Sequence, residues 1–76
     1  MNWKETVTDP DEVKTFLALD GPHYTWRTIS GIARQAGLSE QRVAEVLKKY
    51  NLTLTRMSET PSVSGSALVG LIEKVG

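Results

Sequence analysis

The 76-residue chain contains no cysteine and one histidine, His23. Without cysteine there can be neither a disulfide framework nor a thiolate metal site, and a single histidine does not make a zinc site. No segment approaches the length of apolar residues needed to cross a bilayer, and the N-terminus lacks the basic and apolar regions of a signal peptide. We therefore expect a soluble, cytoplasmic protein with no metal and no cofactor, whose small core depends on apolar packing.

Sequence patterns for catalysis are missing as well. Ser64-Gly65-Ser66 lacks the flanking residues of a nucleophile elbow, and no glycine-rich stretch ends in Gly-Lys-Ser or Gly-Lys-Thr. A lone histidine beside an aromatic segment is far more often structural or exposed than catalytic. The sequence predicts that the protein is not an enzyme.

Charge is balanced over the whole chain but not along it. Nine basic and nine acidic residues give a net charge of zero, which argues against a strongly electrostatic nucleic-acid binder. Residues 1–26 hold two basic and five acidic residues (−3), residues 27–56 hold six and two (+4), and the remainder holds one and two (−1). This segregation either indicates a partner for the basic middle of the chain or arises by chance in a short sequence.

The first clear helix signal is Asp-Pro-Asp-Glu at residues 9–12, with a capping aspartate, proline at the first helical position and glutamate at capping-box spacing. Residues 20–22, Asp-Gly-Pro, predict its end. Its apolar stripe is predicted at Val13, Phe16 and Leu17. We expect residues 1–8 to be an N-terminal arm and residues 9–76 to be the domain.

Two further helices are predicted between Thr28 and Tyr50, and they meet across a tight turn. Thr28 and Ser39 are the expected N-caps, and Gly37 supplies the left-handed residue that ends the earlier helix. Ala33 is small because the two helices cross there. The apolar positions repeat at helical spacing: Ile29, Ile32, Ala33 and Ala36, then Val43, Val46, Leu47 and Tyr50.

Extended segments are predicted on both sides of this helix pair. Residues 23–27, His-Tyr-Thr-Trp-Arg, favour a short strand because aromatic and β-branched residues suit a pleated surface. The polar residues 58–66 predict a loop. Residues 67–75 fit either a helix or a strand, and we favour a strand because the preceding one needs a hairpin partner. That preceding strand alternates Leu52, Leu54 and Arg56 with Thr53, Thr55 and Met57.

The stretch IARQAGLSEQRVAEV at residues 32–46 is similar to the helix-turn-helix pattern of bacterial regulators. Its fixed positions are Ala33, Gly37, Val43 and Val46. The order α-β-α-α-β-β over residues 9–75 resembles the winged helix family, which implies an α+β fold of three helices with a small antiparallel sheet. In that family the third helix usually enters the DNA major groove, and the loop between the last two strands, the wing, touches the adjacent backbone or minor groove.

The resemblance implies a site for double-stranded DNA centred on the third helix. Gln41 is expected to read adenine, Arg42 guanine and Glu45 cytosine. Basic side chains and two helix caps are the expected phosphate contacts: Arg27, Thr28, Arg34, Ser39, Lys48, Lys49 and Arg56. The resulting hypothesis is a DNA-binding module in transcription regulation, or the DNA-targeting part of a larger protein.

A second interpretation is a winged-helix module for protein interaction or oligomerisation without DNA. Glu45 lies three residues after Arg42 and four before Lys49, so these charges are also consistent with ordinary pairs on a helix surface. The predicted wing carries only Glu59 as a charged residue, whereas a DNA-binding wing often carries arginine or lysine. A homodimer through the first helix or an edge strand is the corresponding expectation.

Overall fold

The computed structural model describes residues 3–21, 26–58 and 67–75. Within these ranges the chain has an α+β architecture of five helices and one three-stranded antiparallel sheet. None of the helices described is long and apolar enough to cross a membrane. The helices are α1 (Trp3–Thr6), α2 (Pro10–Leu19), α3 (Ile29–Ala36), α4 (Glu40–Lys49) and α5 (Ile72–Val75). The strands are β1 (Arg27–Thr28), β2 (Thr55–Met57) and β3 (Leu68–Leu71).

Helix α2 begins where the sequence predicts, but its buried side differs. The Asp9 carboxylate accepts hydrogen bonds from the backbone amides of Asp11 and Glu12, so the predicted N-cap is confirmed. The predicted stripe was wrong at Leu17, whose surface is 55% exposed. The helix instead buries the side that carries Glu12, Thr15, Phe16, Ala18 and Leu19. This face brings a carboxylate, rather than a leucine, against the rest of the protein.

The predicted helix pair and its turn are confirmed as α3 and α4. The Thr28 hydroxyl accepts a hydrogen bond from the amide of Gly31, and the Ser39 hydroxyl accepts one from the amide of Arg42. Gly37 has a φ of 72°, a left-handed conformation that a residue with a Cβ adopts only at a cost. The residues that face the core are Ile32, Ala33, Val43, Val46 and Leu47.

In the sheet, β3 lies between β1 and β2 and runs antiparallel to both. Arg27 of β1 pairs with Val69, and Arg56 of β2 pairs with Gly70. The strand predicted for residues 67–75 is confirmed at Leu68–Leu71 and was wrong at Ile72–Val75, which form the helix α5 instead. Residues 23–25 of the earlier predicted strand, and residues 59–66 of the predicted loop, lie outside the described residues.

The strand predicted from Leu52 begins only at Thr55. The Tyr50 carbonyl at the end of α4 accepts hydrogen bonds from the amides of Thr53, Leu54 and Thr55, and these bonds hold the intervening residues in a turn. Leu52 has a φ of 66° and is 77% exposed, while Leu54 and Thr55 are both buried. The predicted alternation was therefore wrong here. These amides donate hydrogen bonds to the carbonyl at the helix end, so they are not available for pairing with a neighbouring strand.

The core draws on the segment expected to be an arm. Trp3 and Val7 are buried, and the Trp3 ring lies 5.3 Å from the ring of Phe16, centroid to centroid. The Trp3 indole also donates a hydrogen bond of 3.1 Å to Asp20 at the end of α2. Asp20 in turn pairs with Lys74 of α5 at 3.0 Å. Both ends of the described chain are thus attached to α2.

Ala33 offers a test of the packing between α3 and α4. Its side chain is 5% exposed, so Ala33→Leu is expected to overpack the crossing and lower the free energy of unfolding by about 1–3 kcal/mol. Arg34→Leu, which introduces the same side chain at the neighbouring exposed position, should change it by less than about 0.5 kcal/mol. Urea unfolding of both variants measures the difference, and equal stability for the two would contradict this packing.

Candidate nucleic-acid interface

Helix α4 presents one face to solvent because the opposite face is buried. Val43, Val46 and Leu47 are inserted into the core. The helical period of 3.6 residues then directs the other side outward, and its members are all exposed: Gln41, Ala44, Glu45 and Lys48. We call these four residues the outward face of α4. Among the residues described, Lys48 makes no ion pair.

Arg42, expected to read guanine, lies on the flank of α4 that faces α2. Its Nε is 3.1 Å from a carboxylate oxygen of Asp11, and Nη2 is 3.5 Å from Asp9. A third carboxylate, that of Glu45, is 3.9 Å from Nη1. The hydrogen bond with Asp11 raises the pKa of Arg42 above its ordinary value. The guanidinium is therefore held by acidic groups of its own protein rather than directed at a base.

Lys49, expected on the solvent side with Lys48, also turns toward α2. Its Nζ donates a 2.8 Å hydrogen bond to the Glu12 carboxylate, whose other oxygen accepts a 2.6 Å hydrogen bond from the Tyr50 hydroxyl. The hydrogen bond that each makes with Glu12 raises the pKa of Lys49 and also the pKa of Tyr50. We refer to Asp9, Asp11 and Glu12, together with Arg42 and Lys49, as the α2–α4 clamp.

Glu12 is the buried member of this clamp. Burial by itself raises the pKa of the carboxyl, but the hydrogen bonds from Lys49 and Tyr50 more than offset that effect, so its pKa lies below the ordinary value. Sequence reasoning placed Glu12 in a capping box and did not anticipate its role here. The sequence does carry a signal for the burial of Glu12, though none for its partners, because Glu12, Phe16 and Leu19 follow one another at i, i+4 and i+7, the spacing of a single helix face.

Arg27 and the two cap residues are also engaged within the protein. The Arg27 guanidinium donates to the carbonyl of Ala18, at 3.2 Å, and to the side-chain oxygen of Gln35. A Cβ on Gly31 would approach that guanidinium to 3.1 Å, so glycine leaves the space the arginine occupies. The Thr28 and Ser39 hydroxyls both serve as helix caps. Arg27 thus lies between α3 and the end of α2.

Arg34 and Arg56 have different environments. Arg34 is exposed on α3. Arg56, half-buried on β2, has its guanidinium carbon 5.8 Å from the centre of the Trp26 ring, within the range of a cation–π contact. Of the expected site residues, the structure brings Gln41, Glu45 and Lys48 onto one exposed face and groups Arg42 and Lys49 with α2 instead.

This outward face offers an amide, a carboxylate and an ammonium group for hydrogen bonding, and it carries no nucleophile paired with a base. The chain matches no protein-family model, no curated protein and no solved structure. Its function is therefore inferred from the geometry of the described residues.

Glu12→Gln tests the clamp. The amide leaves Lys49 without a charged partner, so the free energy of unfolding at pH 7 is expected to fall by about 1.5–3 kcal/mol, the usual range for a hydrogen bond to a charged group. Glu45→Gln removes the same charge from a side chain that is 60% exposed, and should cost less than about 0.5 kcal/mol. Chemical unfolding of both variants makes the comparison; equal losses would argue against the clamp.

The difference in stability between the wild-type protein and Glu12→Gln should depend on pH. Because the pKa of Glu12 is lower in the folded protein than its ordinary value of 4.5, the carboxylate contributes its full stability above that value. The contribution disappears as pH falls through the folded pKa. The difference in the free energy of unfolding between wild type and Glu12→Gln should therefore be constant from pH 6 to 8, at about 1.5–3 kcal/mol. It should shrink below pH 4. A difference that is unchanged in acid would contradict this.

Proposed function

We propose that the chain is a winged helix-turn-helix module that binds duplex DNA through the outward face of α4. The single observation that carries this proposal is the set of polar, exposed side chains on a helix whose opposite side is buried. Two further features support it: the left-handed turn at Gly37 between α3 and α4, and the β2 and β3 strands paired beside them. In this proposal α4 is the recognition helix, and the segment joining β2 to β3 is the wing.

The residues of the outward face have side chains suited to base edges. Like any α-helix, α4 is about 10–12 Å across with its side chains, and it therefore fits the major groove, which is about 12 Å wide. Gln41 has the amide geometry that pairs with adenine, and the Glu45 carboxylate accepts from the amino group of cytosine. Lys48, with its mobile ammonium, is suited to a phosphate.

The α2–α4 clamp makes this DNA binding weak. Arg42 and Lys49 have carboxylate partners on α2, and the Arg27 guanidinium is held against the end of that helix. Of the cations expected to contact phosphates, Arg34 and Lys48 are exposed, and two glutamates of α4, Glu40 and Glu45, are exposed nearby. Weak binding by one module is compatible with transcription regulation, or with a larger protein in which other contacts add affinity.

Fluorescence anisotropy with a mixed-sequence duplex tests the proposal. With about two phosphate contacts, log affinity should fall against log salt concentration with a slope of about −2. Lys48→Ala should weaken binding and reduce the magnitude of the slope by about 1. Lys14→Ala removes the same charge from an exposed site on α2 and should leave both quantities unchanged. The proposal fails if no duplex binds at low salt, or if the two lysine variants behave alike.

A second candidate function, self-association, is favoured by the apolar side chain of Leu17. It is 55% exposed on α2 and lines a shallow groove between α2 and α3 with Ala18 and Ala36. Burying the exposed half of this leucine against a second copy stabilises a dimer by about 1 kcal/mol per side chain. In this alternative the module is an oligomerisation domain that pairs through α2.

Sedimentation velocity distinguishes the alternative. If α2 forms a dimer interface, the wild-type chain should show a concentration-dependent dimer, and Leu17→Gln should shift it to monomer. Leu52→Gln makes the same replacement at another exposed leucine, 77% accessible and away from that groove, and should not. A wild-type chain that is monomeric at all concentrations tested removes self-association from consideration.

A further inference from the structure

An apolar groove runs along one side of the outward face of α4. It lies between α4, the first residue of α3 and the last residue of β2, and we call it the α4–β2 groove. Its lining consists of Ile29, Ala44, Leu47, Lys48, Asn51 and Met57. Met57 is 39% exposed, and Ala44 belongs to the outward face itself. The groove is thus continuous with the surface assigned to DNA above.

The chemistry of this lining is unlike that of a phosphate site. Among the described residues that line it, Ile29, Ala44, Leu47 and Met57 are apolar, Asn51 is polar and uncharged, and Lys48 is the only charged group. The major groove of DNA presents hydrogen-bonding groups at nearly every position. Its one methyl group is the C5 methyl of thymine, which alanine and other apolar side chains contact directly. The groove therefore matches a specific feature of one base.

We propose that the α4–β2 groove receives thymine methyl groups, so that Ala44 and Met57 select T·A base pairs within the recognised sequence. The proposal rests on the DNA-binding function proposed above and adds the base that the site prefers. Charge supports this occupant, because the one charged side chain among the described lining residues, Lys48, is opposite in sign to the DNA phosphates.

The position of Ala44 on α4 fits this role. It lies three residues after Gln41 and four before Lys48, so the three side chains are neighbours along the helix surface. An adenine read by Gln41 is paired with a thymine, which places a methyl group in the same stretch of the major groove. The small Ala44 side chain leaves the groove open, whereas a longer one would fill it. Specificity for an A·T-containing site follows.

Replacing thymine by uracil tests the proposal, because uracil has the same hydrogen-bonding edge and lacks only the methyl group. The best-bound duplex is first selected from a random-sequence pool, and each thymine is then changed to uracil singly. For the wild-type chain, one or two adjacent replacements should weaken binding about three- to fivefold, the value of one buried methyl-sized group. The other replacements should have no effect.

Two variants assign that effect to the groove. Met57→Gln should bring the thymine-to-uracil affinity ratio at the sensitive positions close to one, and so should Ala44→Ser. Leu52→Gln, an identical apolar-to-amide change at an exposed leucine that does not line the groove, should keep the wild-type ratio.

The outcomes separate this inference from the function on which it rests. Duplex binding with no sensitive thymine overturns the groove assignment and leaves DNA binding in place. The groove assignment is also overturned if the thymine-to-uracil affinity ratio falls equally in Met57→Gln and Leu52→Gln. Absence of binding to every duplex in the pool overturns both, and would direct attention to an apolar peptide as the occupant of the groove.

Discussion

Glu12 accepts hydrogen bonds from both Lys49 and Tyr50, and this contact holds the C-terminal end of α4 against α2. It acts together with the packing of the Phe16 ring edge-on against Tyr50, with the ring centroids 5.3 Å apart. A buried carboxylate has few alternative partners, and leaving it unpaired is costly. Together with the burial of Val43, Val46 and Leu47, this contact determines which α4 side chains reach solvent, and so determines the candidate interface centred on Lys48.

The same contact changes the meaning of the charge segregation. A basic middle segment points to an external anion when the acidic segment before it is ignored. In the folded chain the first turn of α2 lies against α4, so Asp11 and Glu12 neutralise two cations that would otherwise face a partner. Asp20 and Lys74 repeat this pattern at the other end of α2. Much of the segregation is internal complementarity, and the remaining positive charge is small, which is why we propose weak DNA binding.

Local signals in the sequence predicted the fold well wherever a few neighbouring residues decide the conformation. Helix caps and the left-handed turn at Gly37 are of this kind, and so is the exposure of Gln41, Glu45 and Lys48. The clamp could not be predicted in this way, since its two halves are separated by about 30 residues or more and no local pattern connects them. The strand predicted from Leu52 by two-residue periodicity was wrong at its start. The carbonyl at the end of α4 holds these residues in a turn, although their side chains suit a strand.

Whether α4 faces DNA is tested most directly by titrating isotope-labelled protein with mixed-sequence duplex DNA. The backbone amide signals in NMR spectra report which residues respond. We expect the largest shifts on the amides of residues 40–48, on the adjacent start of α3 and on β2. The signals of α2 should move little, because its carboxylates stay paired with Arg42 and Lys49 when DNA binds. Shifts centred on α2, or no shifts at low salt, would contradict the assignment of α4 as a DNA-facing helix.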